Sequence, residues 1–92
     1  MTLNLSQAKI GDQLEVLAID DSQAEVSERL YALGVFPGVA VNLLRAAPMG
    51  DPLQIKAGQT LISIRRQEAQ SIRVVIQQPA NVPSVLTALG ST

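Results

Sequence analysis

The chain has 92 residues, of which 47% are apolar, and its 7 basic and 8 acidic side chains leave a formal net charge of −1. This length predicts one domain with a single core, and the charge argues against a nucleic-acid-binding protein, because such proteins neutralise phosphates with an excess of Lys and Arg. The chain has no His and no Cys, which excludes a disulfide framework and removes the usual general base and the commonest ligands of transition metals.

The first twelve residues, MTLNLSQAKIGD, show no basic region followed by an apolar block, so they do not resemble a secretory signal. No apolar run reaches the length of about 18 residues that a membrane-spanning helix needs. We therefore expect a cytoplasmic protein that does not insert into a membrane. Within this segment, Leu3, Leu5 and Ala8 predict one helical turn packed on the core.

Residues 13–19, QLEVLAI, alternate in part between apolar and polar side chains. Alternation with a period of two is typical of a half-buried strand. We predict a first strand here, with Leu14, Val16 and Ala18 on its buried face.

An amphipathic helix of about three turns is predicted next. Its apolar residues Val26, Leu30 and Leu33 recur at spacings of four and three, which places them in one stripe. This stripe is expected to pack on the sheet.

The helix has signals at both ends. Ser22 and Glu25 match the capping box, in which two side chains bond the free amides of a helix start. Glu25 also lies four residues before Arg29, the spacing of a stabilising surface ion pair. Gly34 suits the left-handed residue that follows a helix, and Val35 is then expected to fold back onto Leu30.

Phe36-Pro37-Gly38 predicts a type II turn, because Pro fixes the first central φ and Gly accepts the positive second one. A strand over residues 39–46 follows. The loop 48–52, PMGDP, must stand off the sheet, since Pro cannot pair along it.

Two more strands are predicted over residues 53–57 and 60–64, with Gly58 at the first central position of a type II′ hairpin turn. One helical turn over 65–69 and a last strand over 72–76 complete the pattern. About five short strands with one inserted helix predict a mainly β, small and partly open barrel, because the later connections are too short for parallel crossovers. The predicted core includes Leu30, Leu33, Val41, Ile55, Ile62 and Ile64.

From residue 77 the composition shifts to Pro, Ser, Thr and small apolar residues. We predict a domain over residues 1–76 and an extension over 77–92. The extension forms either a short helix that docks on this subunit or a neighbouring one, or a frayed tail. Its apolar residues at helical spacing are Val82, Val85, Leu86 and Leu89.

Met49 is the most distinctive candidate for a partner contact, because it lies at the tip of a Pro-bracketed loop with no core nearby in the sequence. A flexible apolar side chain suits adaptable contact with a partner, and the alternative is that Met49 tucks against the helix. Asp51 is expected to close the same loop through backbone bonds. Metal ligation by Asp51 is the lesser alternative, without His or Cys ligands.

Arg45, Arg65 and Arg66 lie near predicted strand ends. They suit an acidic partner or a phosphate, but solvation or a local pair with Glu68 is the commoner arrangement for such a cluster.

Three carboxylates, those of Asp20, Asp21 and Glu25, lie within six residues at the predicted helix start. The helix dipole favours negative charge there. The cluster is also the best candidate for adventitious binding of a divalent metal.

The sequence RLYALGVFPGVAVNLLRAAPMGDPLQI at residues 29–55, followed by G-x-x-L-x-x-x-x-R-x-E-A-x-x-I, resembles the ferrous iron transport protein A family, FeoA. The resemblance covers about residues 5–75. It implies an SH3-like barrel and a cytoplasmic accessory protein whose partner is FeoB, the GTP-binding ferrous iron transporter of the membrane. Met49 stands where the family most often has Leu, and residues 78–92 extend past the family domain.

We therefore predict a non-enzymatic accessory protein without a cofactor, which binds and modulates the transporter from its cytoplasmic G-protein side. Its partner-binding residues are predicted to be Phe36, Met49, Asp51, Arg45 and Arg65. Self-association through the C-terminal extension is a further expectation. The alternative is a metal-responsive regulatory module that binds a divalent transition metal through carboxylates.

Overall fold

The computed structural model describes residues 2–78, which form a six-stranded antiparallel sheet and one main helix. The elements are β1 (Thr2–Asn4), a 3-10 turn (Leu5–Gln7), β2 (Gln13–Ile19), α1 (Ala24–Leu33), β3 (Ala40–Ala46), β4 (Leu53–Ala57), β5 (Thr60–Ile64), α2 (Arg66–Ala69) and β6 (Ile72–Gln78). The strand order is β1-β6-β2-β3-β4-β5, so the sheet begins and ends on short strands. The predicted architecture, a mainly β barrel with one inserted helix, is confirmed, with six strands where about five were expected.

The additional strand is β1, which pairs with β6 through Leu3 opposite Val74 and its two neighbours. Three residues are too few to show a period of two, which is why the sequence pattern did not reveal this strand. The predicted turn at the N-terminus is present as the 3-10 turn, and it buries Leu5 completely.

Strand β2 has the predicted bounds but one residue on the wrong face. Leu14 and Val16 are buried, whereas Ala18 is exposed. Val16 pairs with Val74 and Ala18 with the preceding residue of β6, Arg73, so a β-bulge interrupts the register. The extra residue of a bulge reverses the alternation beyond it, and the prediction for Ala18 is therefore wrong.

Helix α1 buries Leu30 completely and Val26 and Leu33 in part, as the apolar stripe predicted. The predicted capping box is wrong. The residue before the helix is Gln23, which forms no side-chain cap, and the amide of Ser22 donates instead to Oδ1 of Asp20 at 3.0 Å.

The C-terminal end of α1 has the predicted left-handed glycine. Gly34 has a φ of +96°, and its amide donates to the Tyr31 carbonyl at 3.1 Å. The Val35 amide donates to the Leu30 carbonyl at 2.9 Å, and both of these side chains are fully buried. This pair of bonds is the Schellman motif, which satisfies two carbonyls that the helix leaves free.

The predicted turn after α1 is confirmed by a bond of 3.1 Å from the Val39 amide to the Phe36 carbonyl and by a φ of +96° at Gly38. The Gly38 amide also donates to the Val16 carbonyl at 2.8 Å, and the Val16 amide donates to the Val39 carbonyl at 2.9 Å. The turn is thus fixed to β2 and directs the chain into β3.

Strands β3, β4 and β5 form a meander with a bulge at Leu44, between the pairs Leu43–Ile55 and Arg45–Gln54. The two-residue connection between β4 and β5 contains Gly58 with a φ of +60°, as its turn requires. The predicted bounds of β4 and β5 are confirmed.

Aliphatic side chains from the strands, both α-helices and the 3-10 turn form one core. Among the predicted core residues, Leu33 is only half-buried. The buried apolar residues are Leu5, Leu14, Val16, Leu30, Val35, Val41, Leu43, Leu53, Ile55, Ala57, Ile62, Ile64, Ala69, Ile72 and Val74. Among residues 2–78, two polar residues are also buried, namely Asp12, whose Oδ2 accepts the Lys9 amide at 2.8 Å, and Ser27, whose hydroxyl donates to the Ala24 carbonyl at 3.1 Å.

The expectation for Val82, Val85, Leu86 and Leu89 concerns a segment outside the described residues. Strand β6 continues to Gln78, two residues beyond the predicted end of the last strand. Within residues 2–78, neither helix has the length and apolar character needed to cross a bilayer.

Candidate functional site

The loop 48–52 connects β3 to β4 and is closed by two backbone bonds. The Ala47 amide donates to the Pro52 carbonyl at 3.0 Å, and the Gly50 amide donates to the Ala47 carbonyl at 2.7 Å. Gly50 has a φ of +86°, which only a residue without Cβ adopts easily. The loop is therefore a defined turn that projects from the end of the hairpin.

Met49 at the tip of this loop has 93% of its surface exposed, more than any other large apolar side chain of the described residues. The next are Leu61 at 61% and Ile10 at 57%. Of the two arrangements that the sequence allowed for Met49, the structure has the one in which the side chain extends into solvent.

Asp51 and Arg66 hold the loop against the rest of the fold. Oδ1 of Asp51 accepts the backbone amide of Arg66 at 3.0 Å, so this carboxylate bonds to the backbone of α2 and not to that of its own loop. The Arg66 side chain donates from Nε to the Gly50 carbonyl at 2.9 Å and from Nη1 to the Ser6 carbonyl at 2.7 Å. Arg66 is half-buried and bonded to the chain, which leaves it poorly placed for the predicted phosphate.

Glu68 connects α2 to α1. Its Oε2 pairs with Nη1 of Arg29 at 2.5 Å, and its Oε1 accepts the backbone amide of Arg65 at 3.0 Å. Arg29 also donates to the Ser63 carbonyl at 3.4 Å. The predicted pair between Arg29 and Glu25 is therefore wrong, because Arg29 turns toward α2.

Two arginines flank the loop. Arg45 lines a shallow groove with Pro48, Pro52 and other residues of β3–β5, and its Nε donates to Oε1 of Gln54 at 2.5 Å. Arg65 lines a smaller depression with Asp51 and Pro52. Neither guanidinium is in an ion pair within residues 2–78, where the only salt bridge is that of Arg29.

Phe36 lies apart from this group. It precedes β3, whereas Met49 follows it, so the seven residues of β3 separate the two. Phe36 is 44% exposed, but the structure does not bring it beside the loop. Four of the five predicted partner-binding residues thus lie in or beside one loop, and the fifth lies at the opposite end of β3.

The carboxylates of Asp20, Asp21 and Glu25 do not form a metal-binding group. Within residues 2–78 no three His, Cys, Asp or Glu side chains are grouped so that they could hold a metal ion. All three of these acidic residues are exposed. A separate polar cleft lies where β1 meets the end of β2 and the start of β6, and Asn4, Gln7, Asp20, Ser71 and Arg73 contribute to its lining.

The fold and this loop define a small SH3-like barrel that presents one exposed apolar side chain at the tip of a loop, with Arg45 and Arg65 near the ends of that loop. The protein-family model that describes the FeoA domain matches residues 3–76 of this chain. This chain belongs to the FeoA family.

Three solved structures illustrate the likeness. The FeoA protein of Chlorobium tepidum is 38% identical, with a TM-score of 0.76 over 83% of this chain and 71% of that one. FeoA of Stenotrophomonas maltophilia, a prokaryotic SH3 domain protein solved in complex with zinc, is 26% identical, with a TM-score of 0.68 over 82% of this chain and 89% of that one. A manganese-dependent transcriptional repressor shares 17% identity, with a TM-score of 0.76 over 82% of this chain and 41% of the repressor, which shows the fold alone.

Proposed function

We propose that this protein is a non-enzymatic accessory factor of ferrous iron uptake, which binds and modulates a FeoB-type transporter from its cytoplasmic G-protein side. Membership of the FeoA family supports the role in iron uptake. The Stenotrophomonas maltophilia protein has been suggested to act as a bacterial ferrous iron transport activating factor, which supports an action on a transporter. The partner itself is our inference from that family role.

The observation that carries the proposal is the exposure of Met49. A large apolar side chain that is 93% exposed gains nothing from the fold of its own chain. Residues of this kind contribute to binding when they enter a pocket on a partner and lose their contact with water. Arg45 and Arg65, which line depressions beside the loop, suit carboxylates on the same partner surface.

The test is a titration of the purified cytoplasmic domain of the transporter with wild-type protein and with Met49→Asp. We expect Met49→Asp to weaken binding at least about tenfold, because an anchor residue typically contributes 1–2 kcal/mol or more. Its midpoint of thermal unfolding should change little, since substitutions of exposed residues usually alter stability by no more than about 0.5 kcal/mol.

Leu61→Asp is the matched control, because Leu61 is also an exposed apolar residue but lies on β5. It should bind as the wild type does. An affinity of Met49→Asp equal to that of the wild type would exclude the loop as the contact. The titration is repeated with and without guanine nucleotide to show whether the state of the G protein controls the contact.

A further inference from the structure

The side chain of Arg66 joins three parts of the chain that lie far apart in the sequence. We infer that Arg66 is a positioning residue, which holds the loop 48–52 in the shape that binds the partner without touching the partner itself. The inference rests on the proposed function, because it concerns how the exposed side chain of Met49 is oriented toward the partner.

Arg66 forms hydrogen bonds with two segments that are distant in the sequence. Its Nε and Nη1 donate to the carbonyls of Gly50 and Ser6, at 2.9 and 2.7 Å, and these two acceptors lie 16 and 60 residues away in the sequence. Its backbone amide donates to Oδ1 of Asp51 at 3.0 Å. The planar, multidentate guanidinium is suited to two carbonyls at once, whereas the single ammonium of lysine is not.

The hydrogen bonds of Arg66 hold the loop residues that determine the direction of the Met49 side chain. With 93% of its surface exposed, Met49 has almost no packing to fix its direction, so the direction depends on the backbone at its two ends. Gly50 directly follows Met49, and its carbonyl accepts a hydrogen bond from Nε of Arg66. Nη2 of Arg66 lies 3.9 Å from the position that a Cβ on Gly50 would take. The guanidinium therefore lies against the backbone of the loop.

A loop that is ordered before binding loses less conformational entropy when the partner arrives. Fixing the backbone of a residue costs conformational entropy, and this cost lowers the affinity if the partner has to order the loop. Removing the side-chain hydrogen bonds of Arg66 should therefore weaken binding without removing any contact with the partner.

The first experiment needs no partner. Hydrogen exchange is measured for the Gly50 amide, which bonds within the loop, and for the Val74 amide in the sheet as a reference for global unfolding. In Arg66→Gln we expect the exchange of Gly50 to increase about tenfold relative to that of Val74, since the loop then opens locally. Arg73→Gln is the matched control, as Arg73 is exposed on β6, and it should leave the ratio unchanged. An unchanged ratio in Arg66→Gln would overturn the inference.

The second experiment is a double-mutant cycle with Met49→Asp, titrated against the cytoplasmic domain of the transporter. In the wild-type background we expect Arg66→Gln to weaken binding about five- to tenfold through the lost order of the loop. In the Met49→Asp background it should have almost no further effect, because an ordered loop is of use only when Met49 is present. An equal loss in both backgrounds would mean that Arg66 acts independently of Met49, and the inference would be wrong.

Arg66→Lys covers the case in which Arg66→Gln does not fold. Lysine can bond one of the two carbonyls, so we expect an intermediate exchange ratio and an intermediate loss of affinity. Values equal to those of the wild type would contradict the role of the guanidinium. If Met49→Asp binds as tightly as the wild type, the proposed contact is wrong, whereas the exchange ratio still decides whether Arg66 orders the loop.

Discussion

Glu68 should stabilise the fold more than its place on a four-residue helix suggests. We expect Glu68→Ala to lower the free energy of unfolding by about 1.5 kcal/mol. Loss of the bond from the Arg65 amide to Oε1 accounts for about 1 kcal/mol, as for other carboxylates that cap a helix. Loss of the pair with Arg29 adds about 0.5 kcal/mol, because Arg29 is 46% exposed and solvent screens the attraction.

Urea unfolding measures this difference as a lower midpoint at an unchanged slope. In thermal unfolding the same loss corresponds to a decrease in Tm of roughly 6–12 °C for a domain of this size. Glu68→Gln keeps an oxygen that can accept the Arg65 amide and loses only the charge, so its cost should be about 0.5 kcal/mol.

Glu25→Ala is the control, because the sequence places Glu25 at the spacing of an ion pair with Arg29 and the structure gives it no such bond. Its cost should stay within about 0.5 kcal/mol. A loss for Glu25→Ala as large as that for Glu68→Ala would show that Arg29 pairs along its own helix. The ion pair between Arg29 of α1 and Glu68 of α2 would then be refuted.

Two further predictions concern the end of α1 and the binding of metal. Gly34→Ala should lower the free energy of unfolding by about 1–2 kcal/mol in the same urea assay, because Gly34 has a φ of +96° and the space around a new Cβ is open, so that only the backbone is strained. A cost near zero would contradict the left-handed end of the helix. Anaerobic calorimetry with ferrous ion should give heats equal to those of dilution, since no three potential ligands are grouped within residues 2–78; a tight stoichiometric site would instead support the metal-responsive module.

Most of the fold could be predicted from the sequence because local signals agreed with the tertiary structure. The turn at Pro37 and Gly38, the glycine after α1 and the Gly58 hairpin all use residues whose allowed φ values nearly determine the backbone. Between these turns, the period of two and the apolar stripe of α1 place the remaining elements within a few residues.

The errors come from features that no local pattern records. The bulge in β2 exposes Ala18 because the pairing with β6 shifts by one residue. The helix α1 begins without the capping box of Ser22 and Glu25, because a matching pattern does not ensure that the side chains form the bonds. Arg29 finds its partner 39 residues away, where a spacing rule for helices cannot reach.

The candidate site could be predicted only in part, because its loop has a local sequence pattern whereas the contacts that hold the loop do not. Two prolines around Met49 imply a loop that leaves the sheet, but they leave open whether Met49 extends into solvent or tucks against the helix. The role of Arg66 could not be predicted, since its acceptors at Gly50 and Ser6 are brought together only by the closed fold. Phe36 was predicted to add contact area to the same surface as Met49, yet the two residues lie at opposite ends of β3.

The loop 48–52 is the surface that we expect another protein to recognise. Isotope-labelled protein titrated with the cytoplasmic domain of the transporter, and followed by the chemical shifts of its backbone amides and of the Met49 methyl group, tests this claim most directly. We predict that the largest changes occur at Met49, Gly50 and the amides beside Arg45 and Arg65. Changes confined to the cleft beside β1, with the signals of the loop unmoved, would contradict it.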